Sequence, residues 1–217
     1  MKLYSYYFSS AAFRVRIALN LKGIEAEYIA IDLPGGENLA AAFRAINPQG
    51  RVPVLVDDDG LAMTQSLATV EHLEETHPTP PLLPADPAGR LRVRTIALAI
   101  ACEIHPLNNS GTLRYLRDGL SISEDDRLVW YRHWIAEGLL YLETLLSDSA
   151  TGRFCHGDDP TVADVFLVPQ IFNAKRYDCP LDAYPAVMAV FDNCMAEDAF
   201  DRAQPMKQPD APETGES

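Results

Sequence analysis

The spacing of apolar positions changes character once along this chain. Up to about residue 76, short apolar runs alternate with helical patterns; from Asp86 onward the spacing is helical throughout. Residues 2–8 read as a strand. Residues 10–22 read as a helix, with Phe13, Val15, Ile17, Ala18 and Leu21 apolar and Gly23 punctuating its end. Tyr28 to Leu33 predicts a second strand, followed by the turn Pro34-Gly35-Gly36 and a helix over 38–46. Val52–Val56 and Leu61–Met63 predict two short paired strands joined by the turn Asp57-Asp58-Asp59-Gly60. A helix over 65–76 then stops before His77-Pro78-Thr79-Pro80-Pro81, which cannot continue it. The order β-α-β-α-β-β-α describes a small mixed α/β unit.

In the second half, helical spacing covers 87–117, 124–147, 161–177 and 184–200. Ser123-Glu124-Asp125-Asp126 supplies a cap and acids for one helix start, and Thr161-Val162-Ala163-Asp164 is a capping-box variant at another. That box is read as structural. The expected organisation is an α/β domain over 1–80, an all-helical domain over 86–205, and a loose Pro-, Glu- and Asp-bearing tail over 206–217.

Composition narrows the function classes. A chain of 217 residues can form one large domain or two small ones. A net charge of −13 argues against a nucleic-acid partner and against an anionic membrane surface. The most apolar stretch, Ile96 to Cys102, is too short to span a bilayer. Met1-Lys2-Leu3-Tyr4 runs straight into a strand pattern, which leaves no room for a signal peptide. Cys102, Cys155, Cys179 and Cys194 show no metal-ligand spacing; they are expected as buried thiols of a reduced, cytoplasmic protein with no metal.

The chemistry concentrates in three segments. Ser9-Ser10-Ala11-Ala12-Phe13-Arg14 sits on a strand-to-helix turn, where unpaired N–H groups and a partial positive charge favour an anion such as a thiolate. Asn47-Pro48-Gln49-Gly50-Arg51-Val52-Pro53-Val54-Leu55 is the second segment. Thr64-Gln65-Ser66-Leu67-Ala68, which opens a helix, is the third. The run Ser9 to Leu19 (Ser-Ser-Ala-Ala-Phe-Arg-Val-Arg-Ile-Ala-Leu) closely follows the signature Ser-Ser-Cys-x-x-Arg-Val-Arg-Ile-Ala-Leu. With Pro80-Pro81-Leu82-Leu83-Pro84, Ile104-His105-Pro106-Leu107-Asn108-Asn109, Thr161 to Asp164 and Leu167-Val168-Pro169-Gln170, it makes the whole chain resemble the zeta class of cytosolic glutathione transferases. That class includes the maleylacetoacetate and maleylpyruvate isomerases.

The resemblance implies a thioredoxin-like N-terminal domain, an all-α C-terminal domain, glutathione as cofactor, and a homodimer. It implies that Ser9, with Ser10 beside it and Arg14 adding positive charge, activates the glutathione thiol. Val52, before Pro53, offers its backbone to the tripeptide as an added strand would. The resemblance makes that bond cis, where base rates alone favour trans. Gln65 and Ser66, otherwise an ordinary helix start, suit the γ-glutamyl carboxylate, and Asn38 matches a position near the glycyl end. From the helical domain, which is expected to supply the second substrate's pocket, His105, Asn109, Ser110 and Gly111 match ligand-contact positions on one face. Arg176 matches a basic residue placed to meet a substrate carboxylate. Read without the resemblance, His105 is a packed residue and Arg176 a solvated helix end.

Two departures stand out. Ala11 replaces the signature cysteine, which excludes redox work by a protein thiol at that turn. Phe8 stands where isomerase relatives often carry Arg, and Ser110-Gly111 lacks a basic pair, so a dicarboxylate would lose charge-assisted hydrogen bonds worth about 1.5–3 kcal/mol each. The reading that follows is a glutathione-dependent isomerase. Thiolate adds to the cis double bond of an enediketone, the resulting single bond rotates, and glutathione leaves the trans isomer. The alternatives are a zeta-class transferase that conjugates or dehalogenates small electrophiles, and a non-catalytic binding module.

Overall fold

The computed structural model describes residues 1–212. The chain divides into two compact units, Met1–Pro81 together with the segment from Ala196 onward, and Leu82–Met195.

In the first unit a four-stranded sheet has the order β2-β1-β3-β4, built from β1 (Lys2–Ser5), β2 (Glu27–Ala30), β3 (Val54–Val56) and β4 (Ala62–Thr64). β1 runs parallel to β2, with Leu3 opposite Tyr28, and antiparallel to β3, with Leu3 opposite Leu55. β3 and β4 form the hairpin closed by Asp57–Gly60, with Leu55 opposite Met63. Helices α1 (Ser10–Lys22), α2 (Ala41–Ile46) and α3 (Ser66–Thr76) complete the β-α-β-α-β-β-α order read from the periodicity. α1 buries Phe13, Val15, Ile17 and Ala18 and ends at Gly23, whose φ of 65° is the left-handed conformation that a helix C-terminus favours. It also buries Arg14, Arg16 and Lys22, so each charge needs a partner. Lys22 pairs with Glu74 of α3 and donates to the Pro80 carbonyl at 2.6 Å.

Four elements are shorter than the apolar pattern suggests. β2 ends at Ala30 rather than Leu33, where the Asp32 carbonyl and carboxylate accept the Glu37 and Gly35 N–H groups in a turn. β3 begins at Val54 rather than Val52, after Pro53, which has no N–H for the ladder. β1 stops at Ser5 because the Arg16 guanidinium takes the Tyr6 and Tyr7 carbonyls, at 3.5 and 3.1 Å, which a longer ladder would need. The helix expected over 38–46 is a 3-10 turn, Glu37–Leu39, then α2. The Asn38 side chain donates to the Gly50 carbonyl at 2.6 Å, and Ala40 between the two elements is extended.

The second unit is helical. The single helix expected over 87–117 is broken into α4 (Pro87–Leu98), a wider π-type turn (Ala99–Ile104), α5 (His105–Asn108) and α6 (Ser110–Asp118). Pro106 has no N–H to continue the ladder. Asn109 is extended and starts α6, its side-chain oxygen accepting the Gly111 and Thr112 N–H groups at 2.8 and 3.0 Å. α7 (Glu124–Leu146) is capped by Ser123. α8 (Val162–Arg176) is buried from Val162 to Ile171 and forms the core of this unit. α9 (Pro185–Met195) has its first N–H groups, those of Ala186 and Val187, accepted by the Glu143 carboxylate at 3.0 and 2.9 Å. The helix expected over 184–200 ends at Met195, and Glu197, with extended backbone, starts α10 (Asp198–Arg202), which belongs to the first unit.

Two further expectations are corrected. The segment expected as a loose tail from Met206 is ordered through the described residues. A 3-10 turn covers Pro205–Lys207, and the Asp210 carboxylate is bound by Tyr7 and Tyr28. The rest of that expectation, residues 213–217, lies outside the described residues. Cys155, Cys179 and Cys194 are buried thiols, but Cys102 is exposed on the π-type turn. Burial pushes the Cys155 thiol well up and the Cys179 thiol to about 11, which disfavours the thiolate at both. Among the described residues no helix is long and apolar enough to cross a membrane, and no group of three or more His, Cys, Asp and Glu side chains is arranged to hold a metal ion.

Candidate active site

In the first unit, the strand-to-helix turn after β1 carries the first half of the candidate site. Ser9 is the N-cap of α1, with extended φ and ψ of −72° and 114°, and its Oγ accepts the Ala12 N–H at 3.2 Å. A hydroxyl has one proton and two lone pairs, so this acceptor role leaves the Ser9 proton for another partner. Ser10 is buried and Ala11 half-buried beside it. No acid lies in the first turn of α1 to oppose an incoming anion. Arg14 is buried behind the turn rather than open to solvent, and its Nη1 donates to the Ser66 Oγ at 3.3 Å. It ties the start of α3 to α1.

The second half is the start of α3 and the loop facing it. Gln65 holds a left-handed φ of 67°, uncommon for a residue with a side chain and worth of order 1–3 kcal/mol of strain. Its carbonyl is fastened by the Thr69 N–H at 2.9 Å and the Thr69 hydroxyl at 3.1 Å, and its Nε2 donates to the Gln49 Oε1 at 2.9 Å. Gln65 makes no side-chain cap to α3, so the first N–H groups of this 11-residue helix are left for an outside acceptor. Strain held at an exposed side chain, beside an uncapped helix end, is the arrangement of a ligand clamp.

Val52 and Pro53 are buried and joined by a cis bond, as the resemblance implied; Thr79-Pro80 is also cis, which the sequence reading did not anticipate. The Val52 side chain packs with Ile31, Phe43 and Val54. Among the described residues its backbone N–H and C=O enter no backbone hydrogen bond, since the ladder begins at Val54. An unpaired backbone segment beside a sheet can accept an extended peptide. Asn38 is committed to the Gly50 carbonyl, which shapes this loop from below. Phe8 is half-buried, its ring 4.4 Å from that of Tyr7, and gives the turn an apolar wall.

The second unit holds the remaining candidates. His105 opens α5 and is half-buried. Asn109, Ser110 and Gly111 are the cap and first residues of α6 rather than one continuing helical face. The Asn109 amide is fully employed, accepting from Gly111 and Thr112 and donating to the Pro106 carbonyl at 2.8 Å. Ser110 is exposed. Arg176, exposed at the end of α8, lies 5.5 Å over the Tyr177 ring, and Tyr177 stacks on Tyr131 at 3.9 Å. The Tyr131 carbonyl accepts the Asn108 amide at 3.4 Å, so packing links Arg176 to the 105–111 stretch. The Thr161–Asp164 box is sealed. The Asp164 carboxylate accepts the Thr161 N–H and hydroxyl and the Cys155 N–H, each at 2.8 Å, with no exposure to solvent.

Sequence reasoning quoted Gln49 without giving it a role, and it had no signal for the strained Gln65. A lone glutamine before a helix gives no hint of positive φ.

A sheet of order 2-1-3-4 with a cis-proline loop and open helix ends, followed by a helical unit, defines a class. The chain belongs to the glutathione S-transferase family. Residues 3–81 match the model of the glutathione S-transferase N-terminal domain, and residues 130–193 that of the C-terminal domain. Within the family it belongs to the zeta-class group of maleylacetoacetate and maleylpyruvate isomerases. It is 45% identical over 214 residues to a maleylacetoacetate isomerase of Pseudomonas aeruginosa, covering 98% of this chain and 99% of that one. Its fold matches the holo structure of maleylpyruvate isomerase, described as a bacterial glutathione S-transferase of the zeta class, with a TM-score of 0.95. Identity there is 46%, covering 98% of this chain and all of that one. A maleylacetoacetate isomerase of Anaeromyxobacter dehalogenans, solved with dicarboxyethyl glutathione and citrate in its active site, matches with a TM-score of 0.87. Identity is 43% over 98% of this chain and 94% of that one.

Proposed function

We propose that the chain is a glutathione-dependent cis–trans isomerase of maleylacetoacetate- or maleylpyruvate-type enediketones, acting in aromatic amino-acid or aromatic-acid catabolism. The observation that carries the reading is the Ser9 hydroxyl, which caps α1 and keeps its proton for an anion at the same helix end. The residues present fit glutathione. Val52 has the unpaired backbone a peptide needs, α3 offers uncapped N–H groups to a carboxylate, and Gln65 is held rigidly at that end. When bound, glutathione supplies a thiolate whose addition to the cis double bond and subsequent departure allow the carbon–carbon bond between to rotate.

This chain's own residues do the rest. Ser9 donates a hydrogen bond from its hydroxyl to the thiolate sulfur, its proton staying on Oγ, and so favours the ionised thiol. The α1 dipole and the buried Arg14 charge act in the same direction. Gln65, Ser66 and the first N–H groups of α3 hold the γ-glutamyl end, and Val52 aligns the cysteinyl backbone, so the sulfur is delivered at a fixed position. Asn38 shapes the loop for the glycyl end. His105, Asn109, Ser110 and Gly111 are proposed as the helical unit's contribution to ligand binding, with Asn109 acting through the backbone turn it caps. Phe8 and Arg176 bear on the electrophile. The catabolic reading is supported by the sequence likeness to isomerases and by a relative that holds a dicarboxylate-bearing glutathione. The test is purified protein with maleylacetoacetate, with and without glutathione, followed to the fumaryl product. Turnover only with glutathione supports the reading; no turnover defeats it.

A second reading, a zeta-class transferase acting on less anionic electrophiles such as α-haloacids, draws support from Phe8, an apolar wall where a cation would favour a dianion. Net loss of glutathione into a thioether product, with no fumaryl product, is the outcome that selects it.

The expected homodimer and cytoplasmic location remain part of this proposal. Leu91 and Leu98, one heptad apart on α4, are 68% and 42% exposed, and such exposed leucines suit a second copy. Four free thiols suit a reducing compartment. Sedimentation at micromolar concentration reads the first directly: a dimer mass supports it and a monomer mass contradicts it.

A further inference from the structure

The turn that presents Ser9 is gripped by two charged side chains drawn from distant parts of the chain. The Tyr7 N–H donates to the Asp210 Oδ2 at 3.0 Å, while the Tyr7 carbonyl accepts from the Arg16 Nη2 at 3.1 Å. The Tyr6 carbonyl accepts the Ser9 N–H at 2.9 Å and the Arg16 Nη1 at 3.5 Å. Asp210 is in turn held by the Tyr28 hydroxyl, which donates to its Oδ1 at 2.6 Å. Arg16 is 4% exposed and also donates from Nε to the Ala203 carbonyl at 3.0 Å, on the same returning segment that carries Asp210.

We infer that Asp210 is a positioning residue for the Ser9 hydroxyl: its carboxylate, anchored by Tyr28 and set against Arg16, fixes the Tyr6–Ser9 turn and so the direction in which Ser9 donates. Both backbone polar groups of Tyr7 are clamped, one by each charge, and Tyr7 lies two residues before the cap. Releasing the N–H leaves the turn held on its carbonyl side alone. A hydrogen-bond donor aimed at a reacting sulfur loses much of its effect when displaced by a fraction of an ångström, whereas the binding of a tripeptide elsewhere on the unit does not. The returning segment 196–212 thus has a part in the chemistry beyond closing the fold. The inference rests on the glutathione reading above.

The test compares wild type with Asp210→Ala, Asp210→Asn and Tyr28→Phe, with Asp198→Asn as a control in the same segment. Thermal unfolding confirms the fold. Ultraviolet difference absorbance of the bound glutathione thiolate, measured across pH, then gives the thiol pKa in each complex, beside kcat and the glutathione KM. In Asp210→Ala we expect the bound thiol pKa to rise and kcat to fall about three- to tenfold, with glutathione KM within about twofold of wild type. Asp210→Asn, which keeps an acceptor for the Tyr7 N–H, should restore most of kcat, and Tyr28→Phe should fall between. Unchanged thiol pKa and kcat in a folded Asp210→Ala overturn the inference. If that variant does not fold, an unchanged thiol pKa and kcat in Tyr28→Phe overturn it instead. No thiolate signal in the wild-type complex sinks the glutathione reading itself, an outcome distinct from any difference between variants.

Discussion

The chain uses its helix starts in two opposite ways. At α8, Thr161 and Asp164 turn every donor inward: the carboxylate accepts three hydrogen bonds at 2.8 Å, and no solvent reaches it. Burial raises the Asp164 carboxyl above the ordinary aspartate value, with those donors opposing the shift. At α1, Ser9 accepts one N–H and keeps its own proton, and the first turn carries no acid. α3 goes further and has no side-chain cap at all. The helix-end field is the same physical resource in each case. Used internally, it fastens a core helix; left open, it is free to favour an anion.

If the contrast is right, substitutions at the closed end should cost stability and those at the open ends should cost catalysis. The largest effect belongs to Asp164→Ala. Three buried donors lose their acceptor, each worth ~1–3 kcal/mol, so denaturant unfolding should show a loss of about 3–5 kcal/mol. The soluble fraction should retain its activity per folded molecule. Loss of specific activity without loss of stability would erase the contrast.

Next comes Ser9→Ala. Removing one donor aimed at developing or held charge typically costs about 10²–10³ in kcat, while the lost N-cap costs only about 1 kcal/mol in stability. An equal loss in both would make Ser9 a cap and nothing more. On the proposed placement of the γ-glutamyl end at Gln65, Gln65→Ala should raise the glutathione KM about tenfold and spare kcat, the effect of losing one hydrogen bond to a charged group. It should also relieve none of the thiol chemistry, so the bound thiol pKa stays at the wild-type value.

The smallest effect is expected at Asp86, an exposed cap. It accepts the Gly89 N–H at 2.8 Å, and that bond holds its carboxyl below the ordinary value of 3.8. A depressed carboxylate contributes stability above its unfolded pKa and loses it as pH falls through the folded value. Asp86→Ala should therefore lower Tm by a few degrees at pH 7, with the gap to wild type narrowing below about pH 4.

How much of this could be read in the sequence differs between the two units for physical reasons. In the first, local signals dominate: Gly23, the Asp57–Gly60 turn and the alternation around Leu55 each mark an element, and the β-α-β-α-β-β-α order follows. The second unit hides its breaks. Apolar spacing runs unbroken through 87–117, yet Pro106 and the Asn109 side chain divide it, since periodicity reports which face is apolar and not where the backbone turns. The helix starts that carry the candidate site were legible, Ser9 as the cap of α1 and Ser66 as the first residue of α3. The site was not legible where long-range contacts decide. Arg14 reads as positive charge added beside Ser9, and its burial and its bond to Ser66, 52 residues away, have no local signal. Asp210 reads as part of a loose acidic tail but binds Tyr7, 203 residues away. No local pattern encodes such pairings.

The central claim is that the open end of α1 holds a borrowed thiolate that returns unchanged. It is tested most directly by supplying maleylacetoacetate in large excess over glutathione and counting both products and thiol. The account predicts that fumaryl product exceeds total glutathione many-fold while the free thiol titre is the same at the end as at the start. Product that stops at one equivalent of glutathione, with the thiol consumed, would contradict it.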